Sequence, residues 1–296
     1  MITQIKTNYT NADYNKRKFR IRVIRKNQCN KKTLTINMKP FKLFTLLFIL
    51  AAMAFISNTH KPVFYIIGDS TVKNGSGSST NLLQGWGSFI ADYFDTTKIT
   101  VENYAIGGRS SRTFLTDGRW DKILRTLQKG DYVIMQFGHN DGGALDDTAR
   151  ARGTIKGIGD DSVEIYNPIR KQKEVVHTYG WYMRKYVNDT KAAGAVPIVC
   201  SPIPHNDWEN SKVKRWSDNS YAGWAKQVAE SEGAYFIDLN NLVSDRYEEL
   251  GPDKVKAFFP RDHTHTNKEG GMLNTEIVIN GIKNLKNCQL KKYLLK

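Results

Sequence analysis

From residue 63 onward, short β-rich runs alternate with segments of helical spacing, and that alternation leaves few architectures open. The runs are Val63 to Ile67, Ile99 to Tyr104, Tyr132 to Phe137, Val196 to Cys200 and Tyr235 to Ile237. Residues 86–94, 120–127, 180–193, 221–231 and 271–285 have helix-compatible composition, and in the third of these Tyr182, Met183, Tyr186 and Val187 share one face. This order predicts an α/β fold: a five-stranded parallel sheet covered by helices on both faces, a three-layer α/β/α sandwich. No repeat and no linker divides the body, so residues 58–296 are expected to form one domain. Residues 141–174 are polar and glycine-containing. They predict an irregular loop after the third strand, at the carboxyl edge of the sheet, where open α/β folds bind ligands.

Charge matters to the argument only through its position. The chain carries 44 Lys and Arg against 29 Asp and Glu, a net +15 that by itself suggests a nucleic-acid partner. Residues 1–57, however, hold 12 of those bases and the single acid Asp13, so +11 of the excess lies there and +4 in the remainder. No nucleic-acid partner is therefore expected. Lys39 and Lys42 precede an apolar run from Phe44 to Ile56, with Ala52-Met53-Ala54 as a small-x-small cleavage pattern. Residues 38–57 read as a signal peptide, being shorter than the ~20 apolar residues of a membrane span. Residues 1–37 read as a basic extension upstream of the true start. Export to the periplasm or the extracellular space is expected, with no stable membrane association after cleavage. The body holds only Cys200 and Cys288, which indicates no disulfide framework, and a monomer is expected.

Four sites carry chemistry. The first strand runs into Gly68-Asp69-Ser70-Thr71, where Gly68 permits a tight turn and the Ser70 hydroxyl sits at the strand's carboxyl end. Taken alone, this is better read as an ordinary capped strand-to-helix turn. After the second strand, Gly107-Gly108-Arg109-Ser110 lets a main-chain N–H approach a ligand closely, as a plain turn also would. After the third comes Phe137-Gly138-His139-Asn140-Asp141, where an Asn amide can donate to an oxyanion or cap a loop. Near the end, Asp262-His263-Thr264-His265 spaces a carboxylate and an imidazole three apart, on one side of a helical turn. Asp262, His263 and His265 are also a possible metal set, a weaker reading because no further ligands occur at recognised spacing.

Together and in this order, Gly68-Asp69-Ser70, the Gly108 turn, Gly138-His139-Asn140-Asp141 and Asp262-x-x-His265 resemble the four sequence blocks of the GDSL/SGNH hydrolases. Gly85-Trp86-Gly87, Ala105-x-x-Gly108-Arg109-Ser110, Phe-Gly-His-Asn-Asp-Gly-Gly from Phe137 and Phe-Pro-x-Asp-His-Thr-His-Thr from Phe259 most resemble the rhamnogalacturonan acetylesterase branch. The resemblance implies a flavodoxin-like sandwich and a serine esterase mechanism without metal or organic cofactor. It implies Ser70 as nucleophile, His265 as general base and Asp262 as its orienting partner. The oxyanion hole would comprise the Ser70 N–H, the Gly108 N–H and the Asn140 side chain.

The expected substrate is an acetylated polysaccharide, first of all acetylated rhamnogalacturonan, with acetylated xylan or another acylated glycan as the nearest alternative. Trp86, Trp181, Trp208 and Trp216 are candidates for stacking on sugars, with Trp208 favoured and Trp86 and Trp181 assigned to core packing. Arg109, Arg112 and Arg261 are candidates for pairing with uronate carboxylates. A non-catalytic carbohydrate-binding domain is the competing class, and intact Ser70, Asn140, Asp262 and His265 argue against it.

Overall fold

Val63–Gly68 strings aromatic and β-branched residues together, and the strand they form, β1, is buried on both faces: Phe64 and Ile66 enter one core, Tyr65 and Ile67 the other. The computed structural model describes residues 60–76 and 82–296, so the expected signal peptide and basic extension lie outside the described residues. After β1 come β2 (Thr100–Asn103), α1 (Ser111–Thr116), α2 (Arg119–Leu124), β3 (Tyr132–Gln136), β4 (Ser162–Asn167) and β5 (Gln172–His177). Then follow α3 (Tyr179–Ala192), β6 (Val196–Cys200), β7 (Trp208–Glu209), β8 (Lys212–Val213) and α4 (Tyr221–Ser231). The chain closes with β9 (Tyr235–Ile237), α5 (Leu239–Leu250), α6 (Pro252–Lys256) and α7 (Lys268–Asn284).

The main sheet is parallel throughout, in the order β2-β1-β3-β6-β9. Alternate strand residues feed two cores. On one face Ile66, Ile134 and Ile198 pack with Val243 and Tyr247 of α5 and with Val278 and Ile282 of α7. On the other, Ile67, Val133 and Val199 pack with Trp120 of α2, Met183 and Tyr186 of α3, and Val228 of α4. The three-layer α/β/α sandwich is thus present. Cys200 and Cys288 are buried and free. Because β2 and β3 flank β1 on opposite sides, the chain reverses its winding between β1 and β3, and their carboxyl ends diverge into a crevice.

Three expectations are corrected. Residues 86–94 form two 3₁₀ turns, Trp86–Ser88 and Ile90–Tyr93, rather than an α-helix. The segment is tied at both ends, by Trp86 N–H on Thr71 O (3.0 Å) and Asp95 N–H on Tyr293 O (2.8 Å), and its internal bonds close over three residues. Residues 141–174 are not wholly irregular, since β4 and β5 pair as an antiparallel hairpin that continues to His177. Val163, Tyr166 and Val175 stay exposed on it, so no buried face imposes the alternation that marks a strand. Asp262 and His265 lie in a non-helical turn, described next.

Candidate active site

β1 ends in a turn that is locked from below. A Cβ on Gly68 would lie 2.6 Å from Val72 Cγ2 and 2.7 Å from Gln136 O, so only glycine lets the chain turn this close to β3. The fully buried Asp69 carboxylate accepts from Thr71 N–H (2.9 Å) and Thr71 Oγ1 (2.7 Å), which leaves Ser70 facing the crevice. Below it runs a continuous buried chain. Trp86 Nε1 donates to Gln136 Oε1 (3.0 Å), and Gln136 Nε2 donates to Thr71 Oγ1 (2.6 Å). His139 Nδ1 lies 3.2 Å from Asp69 Oδ2, and its Nε2 lies 3.0 Å from Ile203 O. Both neighbours are acceptors, so the ring is held between the Asp69 carboxylate and the Ile203 carbonyl. Burial works to raise the pKa of Asp69, but the charge and hydrogen bond of His139, with the bonds from Thr71, outweigh it and hold the group below the ordinary carboxylate range.

Above the turn, His265 Nε2 is 2.8 Å from Ser70 Oγ, and His265 Nδ1 is 2.8 Å from Asp262 Oδ2. The carboxylate shapes its own turn: Asp262 Oδ1 accepts from Thr264 N–H (2.7 Å) and His265 N–H (2.8 Å). Partial burial would raise the pKa of Asp262, yet the hydrogen bonds from the His265 ring and the two backbone N–H groups bring it down to about 2. The turn is fastened to the segment beyond Ser70 by paired bonds between Gln84 and Thr266, each 2.8 Å. A hydroxyl, an imidazole and an ionised carboxylate therefore stand in line, the geometry for moving a proton off the hydroxyl.

The Gly108 turn approaches from the side. Ile106 N–H donates to Gly68 O (3.0 Å), and Gly108 adopts φ +75°, in the left-handed region that favours glycine. Asn140 Nδ2 donates to Arg109 O (3.0 Å), which orients the amide beside this turn and leaves its second N–H uncommitted. Among the described residues no protein acceptor engages the N–H of Ser70 or Gly108.

Residues 66–271 match the GDSL-like lipase/acylhydrolase family. The chain belongs to this family. A rhamnogalacturonan acetylesterase of Emericella nidulans is 34% identical over 79% of this chain and 89% of its own. A probable rhamnogalacturonan acetylesterase of Bacillus subtilis, YesY, is 32% identical over 75% of this chain and 92% of its own. Among solved structures, the YxiM protein of Bacillus subtilis is similar with a TM-score of 0.61 at 26% identity, covering 75% of this chain and 56% of that one. This GDSL hydrolase is a carboxylic ester hydrolase, with the rhamnogalacturonan acetylesterases among its similar relatives.

Beside Gly108 the hydrolase has a cavity of about 420 Å³, lined by Arg109, Thr113, Asp117, Arg150, Arg152 and Ile169 among others. Arg109 lines this cavity, and its Nε donates to Asp117 Oδ2 at 2.8 Å. Arg150 and Arg152, which no motif in the sequence marks, make no ion pair with any described residue, and Arg152 Nη1 donates to Gly108 O (3.4 Å). Partial burial above all, with the charge of Arg150 next, pushes the pKa of Arg152 down, against the opposing pull of Asp141, Asp147 and Asp69. Arg112 is not available to a ligand. It is fully buried, with Nε on Glu174 Oε1 (2.7 Å) and Nη1 on Leu145 O (2.8 Å) and Gly153 O (2.9 Å). Arg261 is exposed and stands outside the cavity lining.

Trp208 is half-buried against the first core and donates Nε1 to Asn206 Oδ1 (2.7 Å), so its packing is largely internal. Trp216 is also partly exposed and lies edge-on to His139 at 5.2 Å between centroids. Trp86 is fully buried, and Trp181 stacks on His177 at 3.9 Å. His263 does not join Asp262 and His265 in a common site. Its Nδ1 is 2.9 Å from Asp207 Oδ1.

Proposed function

We propose that this hydrolase is an exported carbohydrate acetylesterase that removes O-acetyl groups from acetylated rhamnogalacturonan through an acetyl-Ser70 intermediate. The observation that carries the reading is the line from Asp262 through His265 to Ser70 at the mouth of the β1–β3 crevice, with contacts of 2.8 Å on each side of the imidazole. His265 Nε2 takes the Ser70 proton as Oγ attacks the acetyl carbonyl carbon. The N–H groups of Ser70 and Gly108 and the free Asn140 amide N–H receive the developing oxyanion. Collapse breaks the bond to the sugar oxygen, which leaves with the proton from His265. Water then attacks the acetyl-serine, giving its proton to His265, and acetate departs as Ser70 recovers the proton. Asp262, ionised far below neutral pH, stabilises the imidazolium at each stage.

The rhamnogalacturonan preference is supported by the relatives and by the cavity. Arg150 and Arg152 have no ion-pair partner among the described residues, Arg152 donating from Nη1 to Gly108 O (3.4 Å), and would meet a uronate carboxylate with charge-assisted hydrogen bonds, which neutral xylan cannot supply. Export is supported by the Lys39 and Lys42 flank of the apolar run up to Ile56. The test is acetate release from acetylated rhamnogalacturonan, acetylated xylan and a small aryl acetate, with Ser70→Ala as control. Ser70-dependent release favouring the pectic polymer is expected. Activity confined to xylan or the aryl ester would retain the chemistry and discard this substrate, and no Ser70-dependent release would discard the esterase.

A further inference from the structure

Two loops meet beside the relay without taking part in it. The loop after β6 carries His205 and Asp207, and the turn before α7 carries His263. Asp207 Oδ1 is 2.9 Å from His263 Nδ1, and Asp207 Oδ2 is 3.8 Å from His205 Nδ1. The two imidazoles stack with centroids 4.5 Å apart and planes within 16°. One donor atom from each of the three residues lies within 4.8 Å of the others. Asn206 N–H donates to His263 O (2.7 Å), so the backbones of the two loops are already clamped together.

We propose that His205, Asp207 and His263 bind a divalent transition-metal ion of the zinc class, which ties the loop after β6 to the turn bearing Asp262 and His265. Two imidazoles and one carboxylate suit zinc, copper or nickel, whereas calcium and magnesium seek oxygen donors alone. Tetrahedral zinc holds nitrogen and oxygen ligands at about 2.0–2.2 Å, which sets its donors about 3.3 Å apart. The cluster must therefore contract. His263 and Asp207, with side chains 53% and 42% exposed, turn inward on binding, giving up their mutual contact, while the less exposed His205 ring supplies the anchor. The hydrogen that His263 Nδ1 now directs at Asp207 moves to Nε2, leaving a neutral ring whose Nδ1 lone pair and the Asp207 oxygen both face the ion. Water fills the fourth position. His265 is a poor competitor because both its nitrogens are engaged, one by Ser70 and one by Asp262.

The test is a calorimetric titration of the chelator-treated full chain with zinc chloride alone, for the wild type and for His263→Gln, Asp207→Asn and His265→Gln. His263→Gln and Asp207→Asn alter half-exposed side chains, and circular dichroism checks that each folds. One saturable zinc per chain is expected. His263→Gln and Asp207→Asn should each weaken it by more than the ~10-fold that follows loss of an outer-shell partner, while His265→Gln keeps it. Absence of a saturable site in the wild type overturns the proposal, as does unchanged affinity in His263→Gln and Asp207→Asn. Loss of the site in His265→Gln alone also overturns it, because the ion would then sit in the catalytic relay.

Discussion

Replacing Asp262 by Asn changes one atom and inverts the hydrogen-bonding logic of the relay. Two backbone donors, Thr264 N–H at 2.7 Å and His265 N–H at 2.8 Å, require an acceptor at the Oδ1 position, so the amide oxygen stays there. The amide NH₂ then faces His265 Nδ1, where Oδ2 accepted at 2.8 Å. Two donors cannot face each other, so the imidazole shifts its proton to Nε2 and offers Nδ1 as acceptor. Nε2, 2.8 Å from Ser70 Oγ, then carries a hydrogen where a lone pair is needed. In a buried triad this wrong tautomer lowers kcat by about 10⁴. Asp262 is 44% exposed on its side chain, and water screens part of its influence, so we expect a loss of about 10³, or ~4 kcal/mol. Initial rates on an aryl acetate measure it, alongside the thermal midpoint, which should hardly move because the turn keeps both backbone bonds. A correctly folded Asp262→Asn variant with kcat within tenfold of wild type would refute the reasoning.

Asn140→Ala should lower kcat by about 10² to 10³ with little change in KM, since its free N–H serves only the oxyanion; an equal rise in KM would assign it to ground-state binding. His139→Ala leaves the fully buried Asp69 carboxylate without its ring partner, and urea unfolding should register a loss of about 3–5 kcal/mol, whereas a loss below 1 kcal/mol would mean that the pair is idle. Asp141 is buried, and burial, against the Ser111 hydrogen bonds and with the nearby Asp69 charge, raises its pKa to about 7. The native state therefore binds this proton more tightly than the unfolded chain, so stability falls as pH climbs from about 4 to 7. The thermal midpoint of Asp141→Asn relative to wild type should be more favourable at pH 8 than at pH 5, and a gap independent of pH would contradict the assignment.

The sheet was legible because β1, β3 and β6 are continuous apolar runs of the kind a doubly covered strand explains, while β2 at the edge, Thr100–Asn103, is half-buried along its length. The relay was legible because its pieces are short and local: Gly68-Asp69-Ser70 and Asp262-x-x-His265 place their own side chains whatever lies between them. Helix α5 was not anticipated, since Leu239, Val243 and Tyr247 reach the core from a segment with many polar residues. Nor was the hairpin, whose side chains point mostly into solvent. Arg112 and Arg152 show the limit most clearly. Both are arginines near the same loop, yet one is sealed against Glu174 and the other lines the cavity, a difference set by the path of residues 141–174 rather than by local sequence.

Ser70 and His265 are separated by 195 positions, and the bonds that bring them together also join Gln84 to Thr266 and Thr275 to Trp86. Closing so large a loop is among the slower steps of folding, because its entropy is lost before any contact compensates. A chain whose synthesis has stopped before Asp262 can already hold all five sheet strands, yet its serine is an ordinary alcohol. Reactivity thus arrives last, with the segment from Asp262 onward, and a polypeptide that has not reached it is chemically silent.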